Sequence, residues 1–377
     1  MSATTEPLML VHQESQRAAE LPPVAIAAQR AGVRSPGLLL SWDHAHRDAV
    51  ADLAANAGLL DPLLADPGAV AYGRATFGPW KKDMARWVGR AAPSTATEWD
   101  RTVEQALRAQ RRLDVARLIV PGVELHGGQF PELRDAVAAA RRAFQTRPDD
   151  DPPWLLRLCV RDEWLKKTTL RDRLLDELAD LPEAIGVALH VRWARDDVFA
   201  ERASVEPLAA AVGDLADDDR EVFLLKAGVL GWLATAWGAS GFSAGLSQKS
   251  WLDHTREIKI PGRRGRRPTE WYFEPQLLAT FRRSEHNRLR AQAGYQPCDC
   301  RFCRRRAAGG AWRNLARQHD LFTLASLADR VQASTLAARR RRVRAIVRQA
   351  EQDWQALVPA AGLSGRGQHL KTWLVLL

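Results

Sequence analysis

The sequence is poor in cysteine, with four in 377 residues, and three of them fall between Cys298 and Cys303. A secreted disulfide framework spreads its cysteines along the chain, so that class is excluded and the cluster reads as an intracellular metal site. The N-terminus, Met1-Ser-Ala-Thr-Thr-Glu6, has neither the basic start nor the apolar run of a signal peptide. No Gly-x-Gly-x-x-Gly follows an apolar run, which argues against a doubly wound dinucleotide-binding sheet. One apolar stretch, Val222–Gly245, is long enough to be mistaken for a membrane span. Lys226 and five glycines interrupt it, so it reads as strand–helix–strand in a buried core. The expectation is a cytoplasmic protein with no membrane partner. At 46% hydrophobic and 27% charged residues, the chain can bury a sizeable core, and global disorder is excluded.

Charge is unevenly placed. From Thr255 to Arg306 fourteen Lys and Arg stand against five Asp and Glu, and from Ala307 to Leu377 eleven stand against four. The total is +10, so the first 254 residues carry a net −6. A basic C-terminal third on a mildly acidic body is the footprint of a polyanion-binding surface. The competing reading is a solvated basic face with no partner.

Short apolar runs alternate with helical stretches: Gly37–Trp42, Ala69–Tyr72, Ala116–Pro121, Trp154–Val160, Ile185–Val191, Val222–Ala227 and Ala239–Ala244. Helices are expected between them, among others over Pro131–Phe144, Leu170–Leu181 and Val229–Trp237. This alternation predicts an α/β chain with a parallel sheet, best fitted by a (β/α)8 TIM-like barrel. Residues 1–34 read as an N-terminal arm, within which Pro7–Val11 offers an eighth strand. Residues 35–250 form the barrel body, and 251–377 a basic zinc-binding region ending in helices. One of those helices, from about Thr335 to Trp354, carries Arg339–Arg342 and must turn part of that run outward.

Cys298-Asp-Cys300-Arg-Phe-Cys303 brings three thiolates onto one ion from a tight turn. His319, separated from the last cysteine by fifteen residues, completes a Cys₃His tetrahedron of the kind that holds structural zinc. The alternatives are three metal-free thiols in a loop, or an iron–sulfur cluster, which needs a fourth cysteine.

In a barrel, the residues just past each strand line the active site. Here these are Asp43, His44 and His46; Glu124 and His126; Asp162 and Glu163; His190 and Arg192; Lys226; and Ser243. Asp43, Glu124 and Asp162 are the candidate catalytic carboxylates, with helix N-capping the competing role for Asp43 and Asp162. Asp43, His44 and His46 also admit a weak metal reading, and His190 a satisfied core position. Gly238–Gly245 is a candidate phosphate loop or a closely packed strand end. Arg263, Arg264, Arg266 and Arg267 are placed to contact nucleic-acid phosphates. Trp251, Trp271, Tyr272 and Phe273 are either base-stacking platforms or core.

Gly294-Tyr-Gln-Pro-Cys-Asp-Cys-Arg-Phe-Cys303, followed by Leu315-Ala-Arg-Gln-His-Asp-Leu-Phe322, resembles the zinc motif of the tRNA-guanine transglycosylase-like family. That family takes in queuine and archaeosine tRNA-ribosyltransferases and related DNA 7-deazaguanine transglycosylases. The resemblance extends upstream through Phe223–Gly228 and Gly238–Ala244, and covers roughly residues 220–335. It implies a (β/α)8 barrel with an RNA-holding zinc insertion. The implied reaction exchanges guanine for a 7-deazaguanine, with one aspartate attacking C1′ and a second handling the proton. Two departures stand out. The family's Phe-Asp nucleophile position matches Phe242-Ser243, and its Asp-Ser-Gly-Gly-Phe-Gln string is missing; His126-Gly-Gly-Gln-Phe130 lies at the wrong distance. Two functions follow: base exchange or modification in tRNA or DNA with a rearranged catalytic pair, or a non-catalytic zinc- and nucleic-acid-binding subunit supporting a partner. A homo- or hetero-dimer is compatible with either. An unrelated barrel enzyme with a small phosphorylated substrate is a third reading.

Overall fold

The structure, a computed structural model, describes residues 6–13, 21–41, 61–71, 93–125, 127, 130–193, 201–245, 271–309, 311–363 and 367–377. Ten strands form the main sheet: β1 Leu8–Gln13, β2 Gly37–Ser41, β3 Leu63–Asp66, β4 Ala69–Ala71, β5 Leu118–Val120, β6 Gly122–Leu125, β7 Trp154–Arg161, β8 Ile185–Arg192, β9 Val222–Leu224 and β10 Gly241–Gly245. All pairings in it are parallel. With β5 and β6 counted as one interrupted strand and β4 as an outlier at the rim, eight strands form a nearly closed barrel. β1 lies between β10 and β2, with Leu10 opposite Ser243 and Gly37. The remaining gap, between β3 and β5, is spanned by a Leu64–Arg117 bridge.

The strands read as continuous apolar runs because both faces are covered. Outward side chains such as Leu156, Leu158 and Val160 join the main core with the surrounding helices. Inward ones form a smaller core of Leu10, Leu39, Leu64, Ile119, Leu155, Ala188, Phe223 and Leu225. That plug fills the lower barrel. Beneath it Arg117 grips Glu221 at 2.6–2.9 Å and lies over the Phe223 ring, 5.5 Å from its centroid.

The helices of the barrel layer are α1 Pro22–Arg30, α2 Ala96–Arg111, α3 Phe130–Gln145, the short α4 Glu163–Lys166, α5 Thr168–Ala179, α6 Arg202–Asp217 and α7 Gly228–Ala234. α2 starts where Thr95 accepts from the Glu98 amide at 3.3 Å and Glu98 reaches back to the Ser94 amide at 2.7 Å. It buries Trp99, Val103, Ala106, Leu107 and Gln110 along one face. Gln110 grips both backbone groups of Ile119, at 2.7 and 2.8 Å, and so anchors β5 to its helix.

Past the barrel strands, β11 Trp271–Glu274 and β12 Ala279–Arg282 form an antiparallel hairpin. α8 Arg283–Arg290, α9 Arg301–Ala307, α10 Trp312–Arg330, α11 Leu336–Ala360 and α12 Gln368–Leu376 follow. α10 packs on α1, α7 and β1, which makes it a helix of the barrel layer. The hairpin, α8 and α9 therefore form a lobe inserted between the last barrel strand and the last barrel helix. Among the described residues no helix is long and apolar enough to cross a membrane, and Val222–Gly245 is strand, helix and strand, as expected.

Three sequence expectations change. Leu8–Gln13 is the eighth strand that Pro7–Val11 offered and lies between two barrel strands, so the barrel begins inside the stretch read as an arm, before residue 35. The boundary near residue 250 gives way as well, because α10 belongs to the barrel layer. The third barrel strand is Leu63–Asp66, not Ala69–Tyr72. Four residues between Pro62 and Pro67 read as a turn, but barrel closure recruits them. Ala69–Ala71 is a short rim strand beside β6.

Candidate metal centre and barrel mouth

Four side chains of the lobe converge. Cys298, Cys300 and Cys303 come from the turn into α9, where Cys300 is the N-cap and accepts from the Cys303 amide at 3.4 Å. His319 arrives from α10. Its Nδ1 lies 3.7, 3.4 and 3.3 Å from the three Sγ atoms, and all four ligand atoms fall within 4.8 Å of one another. Bonds of about 2.3 Å to sulfur and about 2.0–2.1 Å to nitrogen give a tetrahedral S₃N set sulfur–nitrogen edges of about 3.6 Å. The cluster fits that test and is a candidate metal site.

The four groups move in opposite directions. Hydrogen bonds with Cys300 and Cys303 raise the Cys298 thiol above its usual value, and although burial lowers His319, its bonds to the same two sulfurs carry it above its own. Hydrogen bonds from Cys298 and Cys303 hold the Cys300 thiol well below its usual value, against burial and with help from His319. Cys303 moves the same way, with its bond to Cys298 the largest cause. Thiolates are the metal-binding form. The His319 Nε2 lies 2.9 Å from the Phe273 carbonyl, which accepts its proton and leaves the Nδ1 lone pair facing the sulfurs. Tyr272 stacks on the imidazole at 4.3 Å, and its hydroxyl lies 3.2 Å from Cys303 Sγ. Burial pushes Asp320, the next residue, up to about 6.

The second concentration of polar groups is the upper barrel. Asp66, at the end of β3, is buried and paired with Arg157 of β7 at 2.9 Å, and accepts the Gly68 amide at 2.9 Å. Burial would raise its pKa, but Arg157, His12, that amide and Lys226 together hold it below the usual carboxylate value. Glu124, only 2% exposed, pairs with Arg192 of β8. It reaches the lumen through a bulge. Val120 is opposite Leu156, but Glu124 is opposite Cys159, so the register slips by one residue across Pro121-Gly122. Val123 and Leu125 thereby face the outer core while Glu124 turns inward. In the same row the Cys159 sulfur lies 3.6 Å from His190 Nδ1. Burial raises the Cys159 thiol above its ordinary value.

The other sequence-predicted residues separate. Asp162 binds Lys166 at 2.8 Å at the start of α4 and makes no side-chain cap. Its carboxylate is engaged in that ion pair and not in capping the helix. Glu163 accepts the Gly127 amide at 3.2 Å. Ser243 is fully buried, and its Oγ accepts the Lys226 amide at 2.7 Å. The hydroxyl thus fixes the turn after β9, where Lys226 has φ +57°. Gly238–Ser240 lies before β10, at the barrel floor. Its Ala239 and Ser240 amides are taken by Ala234 and Val222, which removes the phosphate-loop reading. Tyr272 and Phe273 are core residues, and Trp271 lies under Arg282. Arg339 is buried, bonding the Thr235 and Ala239 carbonyls at 3.4 Å, and Arg340 bonds Ala236 at 3.1 Å. Asp43, His44, His46, His126, Trp251, Arg263, Arg264, Arg266 and Arg267 lie outside the described residues. Sequence reasoning missed Asp66, because Asp66-Pro-Gly68 reads as a turn. Its signal, an acid ending a short apolar run, is visible only once that run is known to be a strand.

No family model matches the chain, and no curated protein matches it. Among solved structures it is similar to nitroalkane oxidase from Streptomyces ansochromogenes, with 12% identity and a TM-score of 0.31 over 97% of this chain and 91% of that one. A likeness that slight carries no argument about fold or activity.

Proposed function

We propose that the chain is a tRNA-guanine transglycosylase-like protein of the cytoplasm that exchanges or modifies a base in tRNA or DNA, with zinc as the structural ion of its Cys₃His site. The observation that carries this reading is the place of the Cys₃His lobe. It leaves the barrel after its last strand and returns at the start of its last helix, so both junctions lie at the mouth end of the barrel. Exposed Arg283, Arg290, Arg301, Arg304 and Arg305 make that lobe a phosphate-binding surface beside the mouth.

Within the mouth Asp66 and Glu124 are the working carboxylates of this reading. Asp66 is held ionised, as a nucleophile requires. Its oxygen forms a bond to C1′ as the glycosidic C–N bond breaks, and the bonding pair leaves with the base. The departing base takes its proton from water, and Glu124, held as a carboxylate by Arg192, accepts the ring N–H proton of the incoming base and returns it to water. The new base then displaces Asp66 from C1′.

Exchange of labelled guanine into bulk tRNA and DNA tests this. Asp66→Asn should abolish exchange and a covalent nucleic-acid adduct at Asp66, and Glu124→Gln should slow exchange by about 10²–10⁴-fold. Asp162→Asn and Ser243→Ala should leave turnover standing. Loss in Asp43→Asn with full activity in Asp66→Asn would move the nucleophile to Asp43.

A second reading, the non-catalytic subunit, is favoured by one observation: the hydroxyl at the family's nucleophile position is committed to a backbone amide. Exchange that appears only on adding a partner chain would select it.

A further inference from the structure

The residue after the last metal ligand does not touch the ligand atoms, yet it is tied to them through one peptide unit. Asp320 Oδ1 accepts the Phe273 amide at 3.0 Å, and the Phe273 carbonyl accepts from His319 Nε2 at 2.9 Å. Consecutive residues of α10 therefore hold both polar groups of the same residue on β11. Besides the three cysteine sulfurs that face Nδ1, the His319 ring meets the stacked Tyr272 and the Thr323 hydroxyl, 3.4 Å from each ring nitrogen. Neither selects a tautomer: a stacked ring does not discriminate between the nitrogens, and a hydroxyl equidistant from both favours neither. The carbonyl does, because it can only accept.

We infer that Asp320 is a positioning residue of the metal centre, fixing through the Phe273 peptide the Nε2–H form of His319 that delivers Nδ1 to the metal. This rests on the metal reading of the Cys₃His cluster. The physical content is preorganisation. With Phe273 held at its N–H, its carbonyl stays aimed at Nε2, and the imidazole meets the ion in the correct tautomer and plane. Without Asp320 the β11 backbone has one anchor fewer beside the site. Outer partners of this kind alter metal affinity by about 10–100-fold.

The test uses the full-length chain and cobalt(II) as probe, with affinity read by chelator competition. Asp320→Leu should bind cobalt about 10–100-fold more weakly. Asp320→Asn, which keeps an oxygen to accept the Phe273 amide but no charge, should return to near the wild-type affinity. In the wild-type zinc form, ¹⁵N shifts of the His319 ring should show metal on Nδ1 and a proton on Nε2. Equal affinity in wild type and Asp320→Leu overturns the inference, as does Asp320→Asn behaving like Asp320→Leu, because charge alone would then matter. A metal on Nε2 in wild type also overturns it, and that reading stands even where Asp320→Leu does not fold. Failure of the wild type to bind cobalt would instead remove the metal reading itself.

Discussion

His319 illustrates how much a single side chain depends on its neighbours. Its spacing from Cys303 is legible in the chain, but which ring nitrogen faces the sulfurs is tied to a carbonyl 46 residues away. Purified protein should carry about one zinc per chain, since three thiolates and an imidazole are a structural zinc set. Cys300→Ser or His319→Ala should lose the metal and loosen the lobe, because site formation and folding are coupled. Elemental analysis alongside limited proteolysis reads both effects. The Asp66–Arg157 pair is the other residue-scale test. Arg157→Met strands a buried carboxylate and should cost about 3–5 kcal/mol, most of it recovered in the Asp66→Leu/Arg157→Met double variant. The pH dependence has a definite sign. Asp66 is lowered in the fold, so its contribution is present above its unfolded value of about 3.9 and fades as pH falls through the lower folded one. Urea melts taken from neutral to acid pH should show a shallower loss of stability below about pH 4 in Asp66→Asn than in wild type. An equal slope would mean that Asp66 has the same affinity for protons folded and unfolded.

At the scale of elements, the Pro121-Gly122 bulge is the device that makes a lumen carboxylate out of a strand whose alternation would send Glu124 outward. A methyl group on Gly122 would meet the Arg157 carbonyl oxygen at 1.9 Å, and a backbone atom cannot swing aside. Gly122→Ala should destabilise the barrel by about 1–3 kcal/mol or more, and calorimetry should show the lowered midpoint. A neutral outcome would mean that β6 shifts without cost. On α11 the arginine run divides by position. Arg339 and Arg340 satisfy carbonyls at the end of the 3₁₀ turn Thr235–Trp237, where the helix dipole also favours positive charge. Arg339→Leu should cost about 1–3 kcal/mol by orphaning buried carbonyls. Exposed Arg341→Gln should stay within about 0.5 kcal/mol of wild type.

For the whole molecule, the uneven charge makes a prediction independent of any catalytic assignment. If the basic third meets nucleic acid through phosphates, binding to RNA or DNA must weaken steeply with salt as counterions are released. Replacing Arg263, Arg264, Arg266 and Arg267 together by Gln should flatten the dependence of log affinity on log salt. On duplex DNA the slope should drop by up to about 0.9 for each phosphate that is no longer neutralised. Sequence preference should hardly change. An unaltered slope in filter-binding titrations would assign phosphate binding to other residues, with the exposed arginines of α8 and α9 next in line.

The chain by itself determined the properties that are local in sequence. Strand–helix alternation specifies a parallel α/β barrel because period and apolarity are properties of contiguous residues. Cys298-x-Cys300-x-x-Cys303 specifies a three-thiolate turn for the same reason, and His319 follows at a distance one helix can span. Tertiary structure decided whatever depends on closure. Leu63–Asp66 is too short to declare itself as a strand, and becomes one because a barrel needs partners at both edges. Asp66 enters the lumen only because that strand exists, and Glu124 only because a one-residue slip reverses its face. Asp162 brings a carboxylate to a strand end, yet it is drawn to Lys166, and the Ser243 hydroxyl is taken by the Lys226 amide. Which side chain a strand end presents to the mouth is set by register between strands distant in sequence, and no window along the chain contains that information.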